Sequence, residues 1–270
     1  MAYFLLVVEG PHDAAFFGQL LKQRGLRKVG LRREVDPYWE KLIPAKFPAD
    51  PQGRLDHVIK FPDIYESQAD PGQISVAILV AGGDSRLISE IQSALEILDI
   101  TRLRSAGIVS DADKMGAAER TSELIKGLNK INTEGTNNSL PGFPLSLPQH
   151  SGVANGMPRI GLHVFPDNHS AGTLETMLLA CAATSYAPYC EPAIAFVAEI
   201  DKAQPTGCEE MKYLRQGSGR HKAAAGMIGN LLFPGSSLSV AIERGNWLTP
   251  TRGNEIGLAA ARTFLDSMLS

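Results

Sequence analysis

Two aspartates two positions apart, Asp111 and Asp113 in the stretch GIVSDADKMG, come just after the apolar Ile108 and Val109. In a strand, residues two apart project to the same side, so both carboxylates can be aimed at one point. Carboxylates held that close repel each other and resist ionising unless a cation lies between them. A hard divalent ion is the natural remedy: Mg²⁺ or Mn²⁺ takes oxygen ligands, typically one or two protein carboxylates together with substrate phosphates. The competing reading of Asp113 is the N-cap of a following helix. Further acidic residues close other apolar runs: Glu9 in VVEGPHD, with Asp13 four residues on; Asp84 in VAGGD; and Asp167 in FPDN, followed by His169. Gly82 and Gly83, in front of Asp84, let backbone approach a bound group closely.

Spacing excludes several other uses of the Asp-x-Asp pair. An EF-hand loop opening at Asp111 needs an oxygen ligand at its fifth position and Glu at its twelfth, where Met115 and Ser122 stand. The first apolar run ends in Gly10 alone, without G-x-G-x-x-G, and no G-x-x-x-x-G-K-[ST] occurs, so neither a dinucleotide fingerprint nor a P-loop is present. A sugar-nucleotide site or an aspartate-phosphatase nucleophile would leave Glu9 unexplained.

The elements that must position these residues are legible as four short runs: YFLLVVEG, SVAILVAGGD, SAGIVSDAD and RIGLHVFPDN. Continuous Val/Ile/Leu-rich runs predict strands buried on both faces of a parallel sheet. Between them apolar residues recur at helical spacing, as with Phe16, Phe17, Leu20 and Leu21 in 13–24, and Leu87, Ile91, Leu95 and Leu98 in 86–98. The alternation predicts an α/β fold, a parallel sheet with flanking helices. Ligands of such sheets bind outside the carboxyl ends of the strands, where the acidic residues would converge. A long proline-bearing connection over 35–73 reads as an inserted hairpin or lid. Its Tyr38 and Trp39 either anchor that insertion or stack on a base. The polar stretch 129–158 reads as irregular. Helices are predicted over 172–184, 193–203, 222–232 and 255–269, giving an α/β core over 1–185 and a helical extension packed on it over 186–270.

With 270 residues, 44% of them hydrophobic, and a formal charge of −3, the chain reads as globular and is not one that coats nucleic acid by bulk electrostatics. Any phosphate site must be local. Two basic clusters offer one, at 22–33 and at 212–222, the second leading into a helix start that could receive a phosphate. There Lys222, with Arg220 and His221 beside it, is the candidate for stabilising transition-state charge, against the alternative of a solvated loop. His169 is a candidate general acid or supporting group, and His12 simply begins the first helix. Three cysteines without C-x-x-C spacing suggest a reducing cytosol. The opening MAYFLLVVEG has too few apolar residues for a signal segment or a membrane span.

VVEGPHDAAFF and GIVSDADKMG, in that order, resemble the strand-Glu-Gly-x-x-Asp and strand-Asp-x-Asp motifs of Toprim domains, the metal-binding module of topoisomerases, primases, the recombination protein RecR and OLD nucleases. FPDNHSAGTLETMLL, HKAAAGMIGNLL, AIERGNWL and ARTFLDSML are similar to a stand-alone Toprim-like group of unknown function, which extends the resemblance over most of the chain. The resemblance implies a Toprim-like fold with Glu9 as metal ligand or general acid/base, Asp111 and Asp113 as Mg²⁺ (or Mn²⁺) ligands, and Glu175 as a further acidic ligand. Gly10, Gly82, Gly83 and Asp84 are expected to line the bound group. The activity implied is Mg²⁺-dependent phosphodiester hydrolysis of nucleic acid, with metal-activated water as the attacking group. Two alternatives stand beside it: a non-catalytic module that binds nucleic acid or a partner, and a metal-dependent hydrolase or phosphotransferase acting on small nucleotides. Energy coupling of the kind found in larger OLD proteins would need a partner protein supplying an ATPase, and self-association is left open.

Overall fold

The computed structural model describes residues 1–43, 62–67, 74–134, 142–203, 208–248 and 257–270. Along the chain run β1 (Ala2–Val8), α1 (Pro11–Gln23), β2 (Leu26–Lys28), α2 (Pro37–Glu40), β3 (Asp63–Ser67), β4 (Ile74–Val80), α3 (Leu87–Ile97), β5 (Leu103–Asp111) and α4 (Ala117–Glu134). There follow β6 (Gly152–Val153), β7 (Arg159–Phe165), α5 (Leu174–Ser185), α6 (Ala187–Ala203), α7 (Met211–Arg215), α8 (Gly219–Leu232), α9 (Leu238–Arg244) and α10 (Leu258–Leu269). The strands form one sheet in the order β2-β3-β4-β1-β5-β7-β6. Its centre, β4-β1-β5-β7, is parallel, and the pairs added at the two edges are antiparallel. These four central strands are the four apolar runs, and they are apolar throughout because both faces are covered.

Alternation along β1 divides the interior. Phe4, Leu6 and Val8 face α1, α5, α6, α8, α9 and α10, whereas Tyr3, Leu5 and Val7 face α2, α3 and α4. The helical C-terminal portion thus shares one continuous core with β1 and α1. Helix α10 approaches the sheet closely because Gly107 and Gly161 are paired neighbours on β5 and β7. A Cβ on either would press on Phe264 and Met268. No helix among the described residues is long and apolar enough to cross a membrane.

The chain departs from the sequence expectation, or decides between its alternatives, in three places. The residues expected to be irregular from 129 onward begin as the last turns of α4, which runs to Glu134. The described parts of the 35–73 insertion contribute α2 and the strand β3, which lies between β2 and β4, while 44–61 and 68–73 lie outside the described residues. Tyr38 and Trp39 are buried, not available to a base: Tyr38 stacks on Tyr3 at 4.0 Å between ring centroids, and Trp39 Nε1 donates to Ser75 Oγ at 2.8 Å.

On the α1 face of β7, His163 is fully buried among Phe17, Phe165 and Phe264, and among the described residues neither ring nitrogen has a hydrogen-bond partner. Burial pushes its pKa down to about 3. The native state therefore stays unprotonated while the unfolded chain takes up a proton near pH 6.5. The stability this neutral ring allows is complete above that pH and is lost as pH falls towards 3, by about 1.4 kcal/mol per pH unit. His163→Phe should remove that slope from the acid limb of a stability-versus-pH curve measured by denaturant titration; an unchanged acid limb would refute it.

Candidate active site

Strand order reverses beside β1: the chain goes from β1 to β4 on one side and later to β5 and β7 on the other. The connections after β1 and β5 therefore leave the sheet in opposite directions and open a crevice at its carboxyl end. Glu9 directly follows β1 and Asp111 ends β5. Helix α1 starts at once after Glu9, with Pro11 in its first turn, and Asp13 Oδ2 accepts the Gly10 amide at 2.7 Å. Across the crevice α5 begins at Leu174, whose amide donates to Asp111 Oδ1 at 2.9 Å. An anionic acceptor at a helix start is favourable, and here it fixes the β5 carboxylate against the fifth helix. Glu175, the next residue, is 3% exposed.

Glu9, Asp13, Asp111 and Glu175 line one cavity of about 380 Å³ together with Gly10, His12, Gly82, Gly83 and Lys222. Glu175 is engaged at both oxygens: Oε1 meets His12 Nδ1 at 3.2 Å, and Oε2 accepts the Thr173 hydroxyl at 3.0 Å. Glu9 Oε2 is held loosely, by the Asp111 amide at 3.4 Å and the Ser110 hydroxyl at 3.5 Å. Lys222, in the first turn of α8, stands at the rim.

The electrostatics follow from this crowding. Burial raises the pKa of Glu9, and although the Asp111 amide opposes the shift, the charges of Asp84 and Asp113 add to it. Asp13 is pushed up to about 8 by burial, with Glu9 and Glu175 adding to the effect. Asp111 lies well above the usual carboxylate range, again from burial first and then from Asp13, Glu9 and Glu175. Glu175 goes the other way: burial would raise it, but the His12 hydrogen bond and the Lys222 charge outweigh that. Burial likewise works against the Lys222 ammonium, yet Glu175, Asp111 and Glu9 hold its pKa above the ordinary value. Among the described residues the cavity sets one lysine against four carboxyl groups that resist losing their protons together, and a further cation entering it stabilises their charged forms.

The donor set suits a hard divalent ion, since every acidic group offers carboxylate oxygens and Mg²⁺ needs only one or two of them beside water and phosphate. Among the described residues, however, no group of three acidic, imidazole or thiol side chains forms a ready metal cage.

The sequence-predicted residues divide clearly. Glu9, Gly10, Gly82, Gly83, Asp111, Glu175 and Lys222 are brought together. Asp113 is not beside Asp111 in the way strand alternation suggests. The strand ends at Asp111, and Asp113 takes a left-handed φ of 51°, pairs with Gly172 through the backbone and lines the neighbouring groove. The helix following it starts at Ala117, so Asp113 is no N-cap either. Gly82 and Gly83, with φ of 78° and 134°, do not offer their amides to a ligand, because both donate to the Glu9 carbonyl at 3.0 and 3.1 Å. They shape the wall and fix the Glu9 backbone. Asp84 lies outside the cavity lining, within 3.5 Å of Arg120. His169 is also elsewhere: Asn168, at φ 70°, turns the chain so that His169 is exposed and lines a separate cavity against α4.

Sequence reading missed Arg120. It reaches Asp84 at 3.5 Å, Asp113 at 3.8 Å and the Asp111 carbonyl at 3.1 Å, with a side chain only 12% exposed. It is thus a built-in counter-charge for the two aspartates that do not enter the cavity. Its position in the polar first turns of α4 gave no signal, as its partners come from separate loops. His12 was undervalued for the same reason: its partner Glu175 is 163 residues away. The neighbours of Lys222 have separate tasks, Arg220 pairing with Asp201 and His221 Nδ1 lying 3.0 Å from the Thr176 hydroxyl.

A solved structure, that of the hypothetical protein PH0156 from Pyrococcus horikoshii OT3, is similar over 100% of both chains, with a TM-score of 0.52 and 18% sequence identity, which is a likeness of fold. No curated protein matches the chain. A family model described as a protein of unknown function, DUF3226, matches residues 3–226, and the chain belongs to that family.

Proposed function

We propose that this protein is a Toprim-type phosphodiesterase that hydrolyses nucleic acid with the help of Mg²⁺ or Mn²⁺. The observation that carries the reading is the convergence of Glu9, Asp13, Asp111 and Glu175 on one cavity with Lys222 at its edge. Glu9 and Asp111 are the residues that would hold the ion, with Glu175 behind them, while Asp113 lies in the neighbouring groove. A bound divalent ion lowers the pKa of water and offsets charge on a phosphate. The chain's own groups supply the rest. Lys222 presents an ammonium to the phosphate oxygens, where charge builds as the bond breaks. Glu9, only lightly hydrogen-bonded by the chain, is suited to take the proton of attacking water. His12 is oriented by Glu175 and faces the same space. Two buried cysteines, Cys181 and Cys190, and an exposed Cys208 suit a reducing, cytosolic setting.

A second reading draws on the cavity's size. About 380 Å³ lies near the lower end for small-molecule sites, which favours a small phosphorylated nucleotide as substrate. A partner protein supplying ATPase activity belongs to the proposal only for energy-coupled work.

The test is calorimetric titration of Mg²⁺ and Mn²⁺ into wild type and Asp111→Asn, with the same samples incubated on single-stranded and duplex DNA and RNA and on nucleoside triphosphates. Loss of metal binding and of polymer cleavage together in the variant supports the nuclease. Cleavage of small nucleotides alone moves the assignment to the second reading, and absence of metal binding in wild type rejects both.

A further inference from the structure

A second cavity, of about 660 Å³, opens across the turn after β7 from the groove that holds Asp113. The turn after β7 separates the two: Asn168 and His169 line the larger cavity, whereas Ala171, Gly172 and Thr173 line the groove that holds Asp113. Its floor is α4 through Ile125 and Lys126, and its far wall is Gln149 and His150 in the segment before β6. Helix α4 also carries Arg120, which reaches Asp84 and Asp113, so one helix borders both sites.

The chemistry of this lining is opposite to that of the acidic cavity. Among the described residues no carboxylate belongs to it. Lys126 brings an ammonium, and His150 and His169 bring imidazoles, which keep at least one N–H donor in either protonation state. Ser122 and Ser151 add hydroxyls, and Thr121 Oγ1 lies 2.8 Å from Ser151 Oγ, which fixes the loop to the helix. Asn168 Oδ1 is occupied by the Val164 amide, which leaves its NH₂ as a donor. A polyanion passing through the acidic cavity gains nothing there from Glu9, Asp111 and Glu175, so its flanking phosphates need donors outside it. The volume falls in the range of about 300–1,000 Å³ common for ligand sites. Ile125 gives an apolar surface against which a base or sugar can lie.

We infer that this cavity, lined by Lys126, His150 and His169, binds a nucleotide unit of single-stranded nucleic acid, holding a phosphate of the strand that reaches the acidic cavity. The inference rests on the nucleic-acid reading above for the identity of the strand, and it does not require hydrolysis. Backbone contacts position the strand without reading its sequence, so DNA and RNA share this chemistry.

The experiment is fluorescence anisotropy of labelled oligothymidylate and oligouridylate with full-length protein, in EDTA, over a salt series. The proteins compared are wild type, the triple variant Lys126→Glu, His150→Ala, His169→Ala, and the single variant Lys126→Arg. The triple variant should bind both strands at least about tenfold more weakly, with the slope of log K against log salt reduced by about 0.7 for each phosphate no longer neutralised. Lys126→Arg should retain wild-type binding. All three positions are exposed, so thermal melts should coincide with wild type. A preference for one strand would identify the natural polymer and still support the site. Equal binding by the triple variant, or no oligonucleotide binding by wild type, overturns it. Weaker binding by the triple variant of a wild type that cleaves nothing in Mg²⁺ would uphold this site and reject the hydrolase. Normal cleavage with unaltered binding by the triple variant would do the reverse.

Discussion

Glu9→Gln should lower phosphodiester hydrolysis by about a thousandfold, within the range attributed to a positioned general acid or base, while leaving the fold at least as stable as wild type. The change keeps shape and removes charge. The side-chain hydrogen bonds it weakens are already long, at 3.4 and 3.5 Å, and the Glu9 carbonyl that receives the Gly82 and Gly83 amides is untouched. Stability supplies an independent check. The folded-state pKa of Glu9 is raised above its unfolded value, so the native state holds a proton in a pH range where the unfolded chain has released it. Wild type therefore loses stability as pH rises above the ordinary carboxylate range. Gln escapes this, so in metal-free buffer the melting temperature of the variant should exceed that of wild type at about pH 8 and approach it at about pH 4. Activity within about tenfold of wild type would remove Glu9 from the chemistry. A lower melting temperature for the variant at the alkaline end would mean the carboxylate is structural.

Lys222→Met should lower the turnover rate by about a hundred- to a thousandfold, the range found on removing one positioned donor to a developing oxyanion, with a smaller effect on Mg²⁺ affinity. Among the described residues Lys222 is the cation that lines the acidic cavity, and its pKa is held up by Glu175, Asp111 and Glu9. Its helix is fixed by other residues, with Ala224, Ala225 and Ile228 buried, so loss of the ammonium leaves α8 in place. Lys222→Arg keeps the charge and should recover part of the rate, whereas a structural role would be met equally by Met. Steady-state kinetics on a short oligonucleotide in saturating Mg²⁺ decides between them. A normal turnover rate with only a raised KM would limit Lys222 to substrate binding.

Much of the frame was legible because it depends on local apolar pattern. The four central strands are the four continuous runs, and Glu9 and Asp111 meet because parallel topology brings strand ends together. What escaped depends on where a regular element stops and on which loops meet. Asp113 was placed beside Asp111 by assuming that alternation continues, but the strand ends too soon and the chain enters a left-handed turn. The short strands β2 and β3 have too few residues for a periodic signal and exist because β4 offers an edge. Helix α4 is polar over much of its surface, and the Asn and Gly residues near its end resemble a loop. His169 sits after the strand end as expected, yet the turn at Asn168 takes it to another cavity, a direction that no sequence spacing encodes.

The two outer strands of the sheet are very short: β2 has three residues and β6 has two. On β2, Arg27 and Lys28 are exposed, and they pair with Glu34 and with Asp63 and Glu243. Brief, charged margins are a poor template for backbone pairing with another molecule, so the long parallel centre is shielded from runaway strand addition and fibre growth. Short charged edges of this kind disfavour association of copies by strand pairing, and concentrated solutions should resist the amyloid-like route to precipitation.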